Sequence, residues 1–295
     1  MNYSISYVVA TRNRLTFLKI TLERLIKEIQ PGEEIVVVDG DSTDGSKAYL
    51  QQLFEDGRIH QFVSESDRNQ AHAWNKAMLM AKGIIIKKII DDDVFCYKAI
   101  RKCGTYMLEN AEIDLIISND LSSTLSNYKA VQKHSRFGQF QSWNKGTVPS
   151  FTFGDVHMLI RKSSLAFIGL YNTDFVMIDW EYSLRISYLK ANIVYYTGFN
   201  ALSVAHPGTA TSKKNAKLIK SQGKEVRTIY GYDGDNAAIS LWSKIKITGG
   251  KLLKSGKKST QPALNLPNIA QAYNFYYDQL LDINGNNEFQ FIRGA

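Results

Sequence analysis

Over the first 120 residues, short apolar runs rich in β-branched residues alternate with segments of helical period, and several runs end in a polar cluster. Ile5 to Ala10 reads as a strand. Leu15 to Ile29 places Leu15, Leu18, Leu22, Leu25, Ile26 and Ile29 at helical spacing and stops at Pro31-Gly32. Glu34 to Val38 is a second strand, followed by a helix from about Thr43-Asp44 to Phe54. Ile59 to Val63 is a third, Asn69 caps a helix reaching Ala81, and Ile84 to Ile90 is a fourth. A helix over Tyr97 to Leu108 and a strand over Ile113 to Ser118 complete this half. Such alternation predicts βαβ units and an α/β fold with a mainly parallel central sheet flanked by helices. Ligands bind beyond the carboxyl ends of such strands. Thr11-Arg12-Asn13, Asp39-Gly40-Asp41 and Asp91-Asp92-Asp93 all follow strand ends and should converge on one edge.

After residue 120 the pattern changes. Leu121 to Thr147 is polar with little periodicity, Ser150 to Arg161 is extended and aromatic, Asp179 to Lys190 is a helix, and Ile193 to Tyr196 is a strand. Ile269 to Leu281, rich in tyrosine and phenylalanine, should pack back as a helix. The expected division is a domain over 1–210, with halves 1–120 and 121–210, and a basic extension over 211–295. The formal charge is +8, yet Thr211 to Lys258 alone carries 12 Lys/Arg and 3 Asp/Glu, a net of +9. That placement argues against nucleic acid bound through the core. It suits an anionic membrane surface or a diphosphate-bearing partner, or simply a solvated lysine-rich tail. No apolar run approaches the ~20 residues of a membrane span, and Met1-Asn2-Tyr3-Ser4 lacks a signal-peptide start. Cys96 and Cys103 are the only cysteines, and about two helical turns, ~10 Å, would separate them. A disulfide scaffold and a cysteine-ligated zinc are excluded, and a cytoplasmic location is the expectation.

Three consecutive aspartates at a strand end repel one another, and a divalent cation is the usual remedy. All-oxygen ligation favours Mg2+ or Mn2+ over zinc. If strand geometry persists, Asp91 and Asp93 share a side and Asp92 points away. In Asp39-Gly40-Asp41-Ser42-Thr43-Asp44, Ser42 or Thr43 suits a helix cap, whereas Asp39 is placed to accept hydrogen bonds from a nucleobase or ribose. Glu65-Ser66-Asp67-Arg68-Asn69-Gln70, running on to Asn75-Lys76, offers Arg68 and Lys76 as cations. Taken alone, that stretch is only a capped amphipathic helix.

Together these motifs resemble the GT-A glycosyltransferases of family 2, a Rossmann-like fold. Val8 to Arg14 is similar to that family's opening strand and nucleotide loop, Val38 to Ser46 to its D-G-S-T-D-G-S segment, and Asp91-Asp92-Asp93 to its D-x-D motif. Glu65 to Lys76 is similar to a stretch found in some bacterial members. The likeness covers about residues 3–205 and rests on four motifs in order. It implies a donor nucleotide bound by Thr11, Arg12, Asn13, Asp39, Arg68, Asn75, Asp91 and Asp92, and a metal held by Asp93 with Asp91 and His206. Asp179-Trp180-Glu181-Tyr182-Ser183-Leu184-Arg185 matches the family's acceptor helix, so Asp179 becomes the implied catalytic base, with Glu181 as the alternative. The residue before Asp179 is Ile178, where the family often has Glu. Asp155, His157, Trp180 and Glu181 are the implied acceptor contacts; Trp143 was a candidate there and equally a core residue.

The implied activity is inverting transfer of one sugar from a nucleotide-sugar, UDP by family habit, to a saccharide or lipid-linked acceptor. Bacterial surface polysaccharide is the expected product. The Gln-x-x-Arg-Trp motif and membrane helices of the processive synthases are absent from this sequence. Two rivals remain in view: a metal-dependent nucleotidyltransferase, and a degenerate domain that binds nucleotides or an anionic surface without catalysis. Thr11-Arg12-Asn13-Arg14 has no glycine, which counts against the first and against a nicotinamide oxidoreductase.

Overall fold

The computed structural model describes residues 3–206, 216–232 and 266–294, with side chains of the last two segments described from 218 and 269 onward. Strands β1 (Ile5–Thr11), β2 (Glu33–Asp39), β3 (Gln61–Ser64) and β4 (Ile85–Ile89) run parallel, β1 lying between β2 and β4. Helices α1 (Leu15–Glu28), α2 (Ser46–Glu55) and α3 (Gln70–Met80) connect them. After the two-residue strand β5 (Val94–Phe95) come α4 (Tyr97–Glu109) and β6 (Leu115–Ser118). The chain then forms a hairpin, β7 (Asp120–Thr124) and β8 (Asn127–His134), and helix α5 (Phe137–Asn144). Strand β9 (Met158–Arg161), the single turn α6 (Leu165–Ile168), α7 (Ile178–Tyr188), β10 (Ile193–Tyr196) and β11 (Ala201–Ala205) follow. Helices α8 (Ala216–Tyr230) and α9 (Leu266–Gly285) and strand β12 (Phe291–Arg293) complete the described chain.

The main sheet has the order β12-β10-β6-β9-β4-β1-β2-β3, and a second sheet has the order β5-β11-β7-β8. Alternation along β1 sends Ile5, Tyr7 and Val9 into one core and Val8 into the other. The first core is roofed by α1, α4 and α9, the second by α3, α5 and α7. Both faces are therefore buried, which is why β1, β2 and β4 read as continuous apolar runs. Gly83 lies against β1, where an added Cβ would sit 2.6 Å from Ser6 Oγ.

The expected mainly parallel sheet is present, with β9 inserted antiparallel between β4 and β6 and β12 antiparallel to β10. Local expectations need correction. Residues 121–147 hold a hairpin and a helix; β8 is largely exposed, so it lacks an apolar signature. Helix α2 begins at Ser46, after Gly45 at φ 95°, and neither Ser42 nor Thr43 caps it. Asn69 does cap α3, accepting from the His72 N–H at 3.1 Å.

The helix expected over Ile269 to Leu281 packs back onto the fold. Ile269, Ala272, Tyr273, Tyr276, Tyr277, Leu280 and Ile283 of α9 belong to the first core, and β12 extends the main sheet. Much of the basic stretch 211–258 lies outside the described residues. Among the described residues no helix is long and apolar enough to cross a membrane. Buried Tyr273 also donates to the Asp92 carbonyl. Tyr273→Ala is expected to lose about 3–5 kcal/mol in denaturant unfolding, and Tyr273→Phe, which keeps the ring, about 1 kcal/mol.

Candidate active site

Register sets the site. Thr11 pairs with Asp39 across β1 and β2, and Val9 pairs with Ile89 across β1 and β4. The residues just beyond these ends therefore meet. Thr11 Oγ1 donates to Asp91 Oδ2 at 2.7 Å. Beyond Ile89 the chain turns, so strand alternation does not govern the three aspartates, and their side chains separate by partner. Asp91 Oδ1 accepts from Arg14 Nε at 3.0 Å. Asp92 Oδ2 meets both Arg14 Nη2 and, at 2.7 Å, His206 Nε2. Asp93 Oδ1 accepts from the Val204 N–H at 2.8 Å. Burial raises the Asp91 carboxyl to about 6, aided by Asp92 and opposed by Arg14. Asp93 is pushed well above the carboxylate range, chiefly by burial and then by Asp92. Asp92, not Asp93, is thus the carboxylate that meets His206.

His206 follows β11, and its ring stacks on Phe17 of α1, with centroids 4.6 Å apart. Together Asp92 and His206 present an oxygen and a nitrogen at one point. Among the described residues no group of three or more His, Cys, Asp or Glu converges as a ligand set. A site for Mg2+ or Mn2+ needs only one or two protein ligands when phosphate oxygens and water complete the shell, and this pair fits that demand once Arg14 Nη2, which contacts both atoms, gives way to the ion.

Two cavities flank the turn. The smaller, about 250 Å³, is lined by Thr11, Arg12, Gly40, Asp67, Asn69 and Asp91, among others. The larger, about 630 Å³, is walled by Asp92, Asp93, Asp155, His157, Asp179 and Trp180 and by the β7–β8 hairpin. Arg14, Gln70 and Ile90 line both.

In the larger cavity two carboxylates differ in state. Asp155 accepts from Lys88 Nζ at 2.5 Å and from Tyr171 OH at 2.7 Å. Burial works to raise its pKa, but Lys88 outweighs this and holds Asp155 below the ordinary carboxylate range. Among the described residues no cation is in contact with Asp179. Burial, and then the charge of Asp155, push it up to about 6, with Lys88 opposing. It does not cap α7, since no side chain caps that helix. Buried His157 is held low by its loss of water, with Nε2 3.7 Å from Asp120 Oδ1. Trp180 stands at the rim, 39% exposed.

Other implied contacts are paired within the fold. Asp39 is fully buried and accepts from the Ser42 N–H, Ser42 Oγ and Ser64 Oγ; it lines neither cavity. Asn13, at φ 52°, accepts from the Thr43 N–H and ties the two loops. Asn75 holds the Tyr171 backbone with both halves of its amide. Arg68 is 72% exposed and pairs with Asp174 at 3.6 Å. Glu181 pairs with Arg185 at 2.9 Å and accepts from Tyr230, away from both cavities. Trp143 is a core residue whose Nε1 donates to the Ser187 carbonyl.

Sequence reasoning missed Arg14, Asp67 and Lys88. Asp67 lines the smaller cavity, its Oδ1 held by Lys76 at 2.8 Å and His72 at 3.0 Å. Lys88 had left a signal: a lysine inside a strand buried on both faces needs a partner.

A sequence profile described as glycosyl transferase family 2 matches residues 6–169. The Escherichia coli UDP-Glc:alpha-D-GlcNAc-diphosphoundecaprenol beta-1,3-glucosyltransferase WfgD is 23% identical over 146 residues, 50% of this chain and 54% of that protein. The chain spans about half the length of the curated relatives it matches. Among solved structures, S. aureus TarS 1-349 in complex with UDP aligns with a TM-score of 0.57 at 18% identity, covering 95% of this chain and 83% of that one. The Pyrobaculum calidifontis mannosyltransferase PcManGT, in complex with GDP-Man and Mn2+, aligns at 0.51 with 16% identity, covering 97% and 88%.

The Lys88–Asp155 pair generates a stability test. Lys88→Met strands a buried carboxylate and is expected to lose about 3–5 kcal/mol in urea unfolding, with Lys88→Met/Asp155→Asn recovering part of the loss.

Proposed function

Because the chain belongs to glycosyl transferase family 2 and has the GT-A fold, we propose that it transfers a single sugar from a nucleotide-sugar, UDP by preference, to a hydroxyl of a saccharide or lipid-linked acceptor. The product would enter a bacterial surface polysaccharide, as the names of its relatives suggest. The observation that carries this reading is the meeting of the two cavities at Arg14 and Ile90, with Asp91 lining the smaller and Asp92, Asp93 and Asp179 lining the larger.

The nucleoside lies in the smaller cavity, where Asp67 and Thr11 offer hydrogen bonds to base or ribose and Arg12 offers positive charge. A divalent cation, Mn2+ or Mg2+, held by Asp92 and His206 would supply Lewis-acid charge to the diphosphate; PcManGT, solved with Mn2+, supports that choice. In the larger cavity the acceptor ring rests against Trp180, and its hydroxyl faces Asp179. Asp179 takes the hydroxyl proton as the acceptor oxygen forms its bond to the anomeric carbon. The bond from that carbon to the diphosphate oxygen breaks, and the electron pair leaves with the nucleoside diphosphate. One displacement of this kind inverts the anomeric configuration. Asp155 and His157 hold the wall of the same cavity.

A base must be ionised to act. With the Asp179 pKa raised to about 6, the rate should fall as pH drops through that value. Asp179→Asn is expected to lower turnover by about 10²–10⁴ while melting within a few degrees of the parent. Transfer measured by nucleotide release across pH 5–8 checks both, and near-parental turnover in the variant would remove Asp179 from the mechanism.

For the net +9 over 211–258 we propose contact with an anionic membrane at the cytoplasmic face. In the described part, Lys220, Lys224 and Arg227 of α8 are exposed. Vesicles rich in phosphatidylglycerol should float the protein at low salt and release it at high salt; flotation unaffected by salt or lipid charge counts against the contact.

A further inference from the structure

We propose that Arg14 is the chain's own cation for the donor diphosphate, an assignment that rests on the nucleotide-sugar reading above. Three residues line both cavities, Arg14, Gln70 and Ile90, and only Arg14 is charged. A donor with its nucleoside in the smaller cavity and its sugar reaching the larger must carry its diphosphate past this wall.

The guanidinium is held ready for that task. Nε donates to Asp91 Oδ1 at 3.0 Å, and Nη2 donates to Asp92 Oδ2. The 2.9 Å contact from Nη2 to His206 Nε2 and the Phe17 ring centroid 5.8 Å away fix the remaining freedom of the fork. Among the described residues Nη1 makes no hydrogen bond, and the side chain is 25% exposed. Arginine holds two carboxylates with one edge of its plane and keeps donors on another; an ammonium has no such fixed geometry. The arrangement meets two demands at once. It offsets repulsion between Asp91 and Asp92, and it keeps positive charge where an anion would otherwise face bare carboxylates. As the bond to the anomeric carbon breaks, negative charge grows on the diphosphate oxygen, where a cation contributes most.

The test compares each nucleoside diphosphate with its own nucleoside, so that base recognition cancels. Uridine and UDP, with the guanosine, cytidine and thymidine pairs alongside, are titrated calorimetrically into the full chain in excess EDTA. Arg14→Gln is expected to lower diphosphate affinity relative to nucleoside affinity by at least about tenfold, with nucleoside binding within about twofold of the parent. Arg14→Lys keeps a charge but loses the fork, and is expected to lose about threefold or more of the same preference. Repeating the titrations with Mn2+ should leave the deficit of Arg14→Gln visible. If both variants keep the parental diphosphate-to-nucleoside ratio, Arg14 is not the diphosphate cation, while the nucleotide-sugar reading stands on the nucleoside binding. If Arg14→Gln does not fold, the Arg14→Lys ratio decides alone. Absence of any nucleotide binding by the parent chain, with or without Mn2+, overturns both.

Discussion

Three carboxylates on consecutive residues, each at most 5% exposed, are the constraint around which this molecule is arranged. Burial disfavours every one of them in charged form, and their closeness adds repulsion. The chain resolves this by giving each a different partner drawn from a different element. Asp91 goes to Thr11 at the end of β1 and to Arg14 at the start of α1. Asp92 shares Arg14 and meets His206 after β11. Asp93 binds the β11 backbone at Val204. Tyr273 of α9 holds the turn from behind through the Asp92 carbonyl. Electrostatic compensation therefore recruits both ends of the chain, and the same contacts that lower the cost of the turn position it for an anionic ligand.

The second carboxylate pair follows a related logic with a different outcome. Asp155 and Asp179 face one cavity and influence each other, yet a single lysine makes them unlike. Lys88 is itself buried, its ammonium 4.2 Å from the Trp74 ring centroid and in contact with Asp155. Asp155 is thereby kept charged, and its charge helps raise Asp179 toward neutrality. Two carboxyl groups pushed apart in this way are the usual mark of divided acid–base roles. The fold supplies the difference: Lys88 comes from β4, Asp155 from the turn before β9, and β4 and β9 are antiparallel neighbours.

How much of this was legible in the sequence depends on how local the cause is. The strand runs, the strand-end clusters and the helix bearing Asp179 are written in short-range pattern and composition, and they stand in the structure. The hairpin was not legible, because one of its strands is mostly solvent-facing and carries no apolar alternation. Nor was the antiparallel insertion of β9, since a buried apolar run does not state its direction. Among the implied site residues, Asp39, Asn75 and Glu181 have hydrogen-bonding partners whose proximity arises only on folding. Asp91 and Asp93 turn to different partners because the strand geometry that would align them ends at Ile89. Arg14 and Lys88 went unnoticed for the converse reason: a charge at a strand end or inside a buried strand declares a need for a partner without naming it.

The match to family 2 ends at residue 169, whereas Asp179, Val204, His206 and Tyr273 lie beyond it. The site therefore draws on the matched stretch, which holds the acidic turn, Asp155 and the β7–β8 hairpin, and on a later stretch that supplies Asp179 and His206. At the acidic turn, partners are fixed by the sheet register and by charge neutralisation, so few residue types would satisfy it. Across the larger cavity, the β7–β8 hairpin and Trp180 form part of the wall. Residues there could change to suit a different acceptor without disturbing the pairing of Arg14 with Asp91 and Asp92. A scaffold of this kind can hold its acidic turn constant while the hairpin and Trp180 vary, because the interactions that are costly to alter, Arg14 with Asp91 and Asp92 and Lys88 with Asp155, do not include them.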